Sequence, residues 1–170
     1  MSVEQHKDEA KLSISCMVIT VSDTRTKETD KSGNLMIDRL TSHGHHIVDH
    51  RIVKDEGQAI REAVSDGCED PEVEAILTNG GTGIAKRDVT IETVAALFDK
   101  EITGFGEVFR MLSYTEDIGS AAILSRAIAG VSGDTAIFST PGSSGAVKLA
   151  MDKLIIPELS HIVREIQKDI

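Results

Sequence analysis

A mostly parallel β-sheet covered by helices on both faces is the fold class predicted by this 170-residue sequence. Three observations point there. Strand-like and helix-like patterns alternate three times between residues 13 and 98. The first and third strand patterns are nearly uniformly apolar, as strands buried on both faces must be. Each strand also ends in a small or acidic cluster, and in such sheets ligands gather outside the carboxyl ends of the strands.

Residues 1–12 are polar and are expected to form a mobile tail. Residues 13–170 are then a single domain, long enough to bury a core. The first strand spans 13–21, is rich in β-branched residues, and ends at Ser22-Asp23-Thr24-Arg25-Thr26. After a polar stretch, Leu35, Met36, Ile37 and Leu40 mark a helix stopped near Gly44. A second strand over 47–53 runs into Lys54-Asp55-Glu56-Gly57, and Ile60, Ala63 and Val64 mark the next helix. The third strand, 73–77, feeds a glycine loop at 78–90, and a helical pattern over 90–98 leaves it. Residues 104–113 read as a loop leading into a short helix, and 118–126 as helical. Two strands, 127–131 and 135–138, flank a tight turn at Ser132-Gly133-Asp134. Thr140-Pro141-Gly142-Ser143-Ser144-Gly145 is a second turn cluster at a strand end, followed by helix that Pro157 either splits into two segments or restarts as a second one.

Composition narrows the function. Aromatic residues make up 3% with no Trp, so the core rests on Ile, Leu, Val and Ala. A formal charge of -10 argues against nucleic acid or an anionic membrane as partner, since either needs a basic face. Cys16 and Cys68 have no metal-ligand spacing and are expected to be free thiols. The first 11 residues lack a signal-peptide pattern, and no apolar run approaches the roughly 20 residues that span a bilayer. A cytoplasmic protein is expected.

The glycine loop carries the chemistry. Three glycines in four positions, Gly80, Gly81 and Gly83 around Thr82, suit a sharp backbone turn or close approach of a ligand. Uncovered backbone N–H groups there can converge on an anion. No Gly-Lys-Ser/Thr follows, so this is not a Walker A loop, and the G-x-G-x-x-G spacing is absent. A tight turn without a ligand is the plain alternative. Thr78, Asn79, Arg87 and Asp88 add polar groups on either side of it. Asp55 and Asp88 are a carboxylate pair able to hold Mg²⁺ against substrate phosphates. The alternatives are a turn residue for Asp55 and a residue favoured by the helix dipole for Asp88. Ser22 and Asp23 read as ligand contacts or as caps. Ser143 and Ser144 read as phosphate contacts or as caps of the following helix. His43, His45, His46 and His50 cluster in sequence, but around a turn and along a strand, where alternate residues face opposite sides.

With these motifs in hand, the sequence resembles the MoaB/MogA family of molybdenum-cofactor biosynthesis proteins, most nearly its MoaB members. Thr-Asn-Gly-Gly-Thr-Gly (78–83) and Arg-Asp-Val-Thr (87–90) carry the likeness. Val-Ser-Asp (21–23), Lys-Asp-Glu (54–56), Gly-Phe-Gly-Glu (104–107) and Pro-Gly-Ser (141–143) follow in the family's order. The resemblance implies a three-layer α/β/α molybdopterin-binding domain assembled as a trimer or hexamer. It implies adenylyl transfer from MgATP to molybdopterin with release of pyrophosphate. Asp55 and Asp88 then serve magnesium and catalysis. Ser22, Asp23, Thr78, Asn79, Gly80, Gly81, Thr82, Gly83, Arg87, Glu107, Pro141, Gly142, Ser143 and Ser144 contact the substrates. Other molybdenum-cofactor enzymes are expected partners. The alternative within the same pathway is a non-catalytic molybdopterin-binding scaffold. Two departures are visible: Ile91-Glu92 stands where many transferase members carry Pro, and Pro-Gly-Ser-Ser replaces the Pro-Gly-Asn or Pro-Gly-Gln of some relatives.

Overall fold

The computed structural model describes residues 2–8 and 13–170. Its elements are, in chain order, α1 (Val3–Asp8), β1 (Ser15–Val21), α2 (Lys31–Ser42), β2 (His46–Val53), α3 (Gly57–Glu69), β3 (Ala75–Asn79) and α4 (Thr90–Ala95). There follow β4 (Lys100–Glu101), α5 (Thr103–Glu116), a 3₁₀ helix (Gly119–Leu124), β5 (Ile128–Ser132), β6 (Thr135–Thr140) and α6 (Ser144–Ala150). A π-helical turn (Met151–Ile155) joins α6 to α7 (Ile156–Gln167).

The six strands form one sheet in the order β2-β1-β3-β6-β5-β4. The first four run parallel; β5 is antiparallel to β6, and β4 to β5. Successive side chains of a strand point to opposite faces, and the core divides accordingly. Cys16 and Val18 of β1 pack with Leu77, Phe138, Met36, Phe109 and Val147 on one face. Met17, Ile19 and Val21 pack with Ile76, Ile137, Ile60 and Val94 on the other. Helices α2, α5, α6 and α7 cover the first face, and α3 and α4 the second, which gives the expected three layers. Each fully buried aliphatic side chain contributes about 1.5–3 kcal/mol. Neither cysteine is in a disulfide, and burial pushes the Cys16 thiol up to about 12.

Several elements differ from expectation. Within the supposed tail, α1 is closed by a reciprocal cap: the Gln5 N–H donates to Ser2 Oγ at 3.2 Å, and the Ser2 N–H to Gln5 Oε1 at 2.8 Å. The remainder of that stretch lies outside the described residues. Helix α5 already begins at Thr103 despite its early glycines, and Gly106 serves close packing there: a Cβ on it would meet the O of Ala127, the residue before β5, at 2.6 Å. Residues 119–124 form a 3₁₀ rather than an α-helix, entered through Gly119 at φ +62°. The short strand β4 is also new. Pro157, by contrast, starts the second helical segment, one of the two expected arrangements: it sits in the first turn of α7, where its missing N–H interrupts the ladder and the preceding turn widens to π. No helix among the described residues is long and apolar enough to cross a membrane.

The topology decides where a ligand can sit. From β1 the chain runs into α2 on one face; from β2 and β3 it runs into α3 and α4 on the other. The connections therefore part above the carboxyl end of β1, opening a crevice beside the loop that follows β3. The register aligns the strand ends, pairing Val21 with Val53, Thr20 with Asn79, and Asn79 with Thr140.

Candidate functional site

Close backbone contact joins the loops that follow β1, β3 and β6. Gly80 has φ +97°, and a Cβ there would strike Val21 O at 2.3 Å. Its N–H donates to Thr140 O at 3.1 Å. A Cβ on Gly142 would lie 3.1 Å from Gly80 Cα, so the Pro141-Gly142-Ser143 turn rests directly on the glycine loop. Gly81, at φ +68°, turns the chain again and accepts the Thr90 N–H at 3.1 Å. These loops therefore form one contiguous rim at the carboxyl ends of the strands.

Three carboxylates and one guanidinium occupy it. Asp23 Oδ1 accepts the backbone N–H of Asp55 at 3.0 Å, tying the β1 loop to the β2 loop. Asp23 Oδ2 is ion-paired with Arg87, whose Nε also lies 3.9 Å from Asp55 Oδ2. Asp88 Oδ2 accepts the Ala85 N–H at 3.1 Å and closes the glycine loop on itself. Asp55 is half-buried, its side chain 11% exposed, and its buried Oδ1 has no hydrogen-bond partner. Burial pushes its carboxyl above the usual aspartate range; Asp88 and Asp23 push the same way, and Arg87 opposes them. Thr90 Oγ1 is a second buried atom without a partner. A polar group left thus is costly unless a ligand, ion or water takes it up.

Other predicted site residues lie beneath the rim. Thr78 and Asn79 are fully buried at the end of β3. Thr78 Oγ1 donates to Ser139 Oγ at 2.8 Å, joining β3 to β6. Asn79 Nδ2 donates to Thr20 Oγ1 at 3.0 Å, and Thr20 in turn donates to Asp30 Oδ2 at 2.6 Å. Asn79 Oδ1 is also without a partner. Ser22 Oγ accepts the N–H groups of Thr24 and Arg25, a turn-forming role. Ser143 caps α6, its Oγ accepting the Ala146 N–H at 3.3 Å, and the exposed Ser144 opens that helix. Thr82 is buried, and Gly83 stands exposed beside Asp88. Glu107 is exposed on α5, and none of the hydrogen bonds of the rim reaches it.

Two residues absent from the sequence reading organise this site. Asp30, fully buried, caps α2 through the Gly33 N–H at 2.9 Å and faces His50 at 3.2 Å and Arg25 at 3.6 Å. Arg25 and Ser32 both donate to Gly142 O, at 3.2 and 2.7 Å. Arg126 donates to the carbonyls of Thr82 and Gly83 and is ion-paired with Glu92. An Asp in the polar stretch ahead of a helical pattern, a candidate N-cap, was the one signal available for Asp30; nothing local marked Arg126. The histidines do not converge: His45 Nδ1 accepts the Ile14 N–H at 3.0 Å, while His43 Nδ1 lies 2.8 Å from Arg39 O. A cavity of about 820 Å³ opens at the opposite end of the sheet, between Ser15, Glu74 and Thr135, and no predicted site residue lines it.

A family model described as a probable molybdopterin binding domain matches residues 17–161. The chain belongs to this family. It is 68% identical over 169 residues to molybdenum cofactor biosynthesis protein B of Bacillus subtilis, spanning 99% of each. Among solved structures, it is similar to a crystal structure of molybdenum cofactor biosynthesis protein B, with 58% identity and a TM-score of 0.90, covering 92% of this chain and 97% of that one. It is also similar to the tungsten cofactor synthesizing protein MoaB from Pyrococcus furiosus, with 39% identity and a TM-score of 0.78, covering 93% and 99%. The six-stranded, mostly parallel sheet described above thus matches these solved structures in fold.

Proposed function

We propose that this protein acts in molybdenum-cofactor biosynthesis, binding molybdopterin and transferring to it the adenylyl group of ATP, with release of pyrophosphate. One observation carries the reading. Asp55 Oδ1 is buried without a partner on a rim built from glycine-loop backbone, between Asp23 and Asp88 and beside Arg87. A carboxylate in that state is poised for a cation.

Asp55 and Asp88 would hold Mg²⁺. Among the described residues no three His, Cys, Asp or Glu side chains converge as a closed metal site. That fits an ion which keeps its waters and takes only one or two protein carboxylates plus substrate phosphates. When bound, Mg²⁺ supplies charge neutralisation to the phosphates of ATP and to the leaving pyrophosphate. The chain's own contribution is positioning and electrostatics. Backbone amides of the glycine loop offset repulsion between the pterin phosphate and the nucleotide. Arg87, 67% exposed and ion-paired with Asp23, offers a positive charge at the mouth of the site. The terminal phosphate of the pterin attacks the α-phosphorus directly, so no adenylyl-enzyme forms.

Pyrophosphate release from ATP, dependent on both molybdopterin and Mg²⁺, tests the proposal. Release that is lost in Asp55→Asn and Asp88→Asn is the expected result. Tight molybdopterin binding without any release would identify a non-catalytic carrier instead. Self-assembly into a trimer or hexamer belongs to the same reading. It draws support from exposed apolar side chains between Val108 and Leu124.

A further inference from the structure

Arg126 lies 43 residues beyond Gly83 in sequence, yet it grips the glycine loop from behind. Its Nε donates to Thr82 O at 3.0 Å and its Nη2 to Gly83 O at 2.6 Å. The other edge of the guanidinium faces Glu92, with Nη1 bonded to Oε1 and Nη2 lying 3.4 Å from Oε2. A guanidinium keeps its charge and presents its donors in a rigid planar fork. It therefore sets the directions of two successive carbonyls together.

Those directions determine what the loop shows on its other side. In a trans peptide the carbonyl and the following N–H point opposite ways, and the described residues contain no cis bond. With the Thr82 and Gly83 carbonyls turned to Arg126, the N–H groups of Gly83 and Ile84 are turned away from it. Both residues are exposed, and among the described residues neither N–H has an acceptor. The next amide, Ala85 N–H, already binds an anionic oxygen, Asp88 Oδ2, at 3.1 Å. Successive unpaired amides facing one way form an anion-binding concavity. There is no room for a side chain at its base, since a Cβ on Gly83 would meet Asp88 Oδ2 at 2.4 Å.

We propose that Arg126, held by Glu92, is a positioning residue that presents the Gly83 and Ile84 amides to a substrate phosphate. The identity of that phosphate rests on the adenylyl-transfer reading; the role of Arg126 does not.

Amide chemical shifts in ¹⁵N-labelled protein, titrated with magnesium pyrophosphate, test it. In the wild type the Gly83 and Ile84 amides move on binding. In Arg126→Gln, with a native circular dichroism spectrum, pyrophosphate binds about tenfold more weakly, the loss of roughly 1.4 kcal/mol, and those two amides no longer respond. Arg126→Lys, which cannot fork both carbonyls, recovers only part of the affinity, and it carries the test if the Gln variant does not fold. Binding by a folded variant with wild-type affinity and the same two amides moving overturns the inference. So does wild-type binding that leaves both amides still. A wild type that binds no pyrophosphate sinks the proposed function as well, which separates the two failures.

Discussion

Asp55 Oδ1 and Thr90 Oγ1, both buried and both without a partner, converge on Gly81 from different elements. A Cβ on Gly81 would stand 2.2 Å from Thr90 Oγ1 and 3.0 Å from Asp55 Oδ1. Glycine is required there twice over, by that space and by φ +68°. Gly81→Ala is expected to destabilise the fold by about 1–3 kcal/mol through backbone strain alone, and to abolish pyrophosphate release by displacing Asp55. Urea unfolding alongside the release assay checks both. An alanine variant with wild-type stability and turnover would contradict this geometry.

Asp55 should trade stability for function. Its carboxyl is raised by burial first, and then by Asp88 and Asp23 against the opposing Arg87. A raised native value means that the folded protein holds the proton more tightly than the unfolded chain. Stability is then lost as pH climbs from the ordinary aspartate range through the native value. At neutral pH the ionised Asp55 therefore costs stability in the metal-free protein. Asp55→Asn is expected to raise Tm at pH 7 by roughly a few degrees while ending turnover. The gap to wild type should close as pH falls below the ordinary aspartate range. A variant that melts below wild type at pH 7 would show that Asp55 is structural rather than strained for use.

How much of this was legible in the sequence follows the range of the forces involved. Strands β1 and β3 and the β5–β6 pair were readable because burial on both faces leaves uninterrupted apolar runs, as in Met17-Val18-Ile19 and Ala75-Ile76-Leu77. Asp55 was readable as the acidic residue of a strand end, and Asp88 as the carboxylate at the far end of the glycine loop. Asp30 was not, since within the polar stretch after Ser22 it looks like a solvated loop residue, and only the packing of α2 onto β1 buries it completely. Arg126 was hidden because its partners lie at Thr82, Gly83 and Glu92, far back along the chain. Conversely, Thr78 and Asn79 carry motif chemistry in the sequence but spend their side chains on Ser139 and Thr20. The start of α5 was missed because Gly104 and Gly106 argue locally against a helix.

Asp30 gives the largest stability prediction. Four groups converge on its carboxylate: Thr20 Oγ1, the Gly33 N–H, His50 Nε2 and the Arg25 guanidinium. Asp30→Ala strands all four and removes the cap of α2, a loss on the order of 3–5 kcal/mol by analogy with other broken buried charge networks. Asp30→Asn keeps the cap oxygen and part of the network, so its loss should be clearly smaller. Equilibrium denaturation of the pair checks the order. Equal losses would mean that the charge, rather than the hydrogen-bonding pattern, holds this corner together.

Self-association can be tested away from the catalytic rim. Six of the nine large apolar side chains exposed among the described residues fall on α5, the 3₁₀ helix after it and the turn between them: Val108, Met111, Tyr114, Ile118, Ile123 and Leu124. Isolated exposed apolar residues are ordinary, but such a concentration on neighbouring elements is the pattern of a surface covered by another chain. Ile123, 83% exposed, makes little use of its side chain within the protomer. Ile123→Asp should therefore leave the protomer folded while placing a charge in an apolar contact. Sedimentation equilibrium is expected to give a trimer or hexamer for the wild type and a shift toward monomer for the variant, with the far-ultraviolet spectrum unchanged. A wild type that sediments as a monomer at micromolar concentration would remove the assembly from the proposed function. An assembly indifferent to Ile123→Asp would place its interface on another face of the sheet.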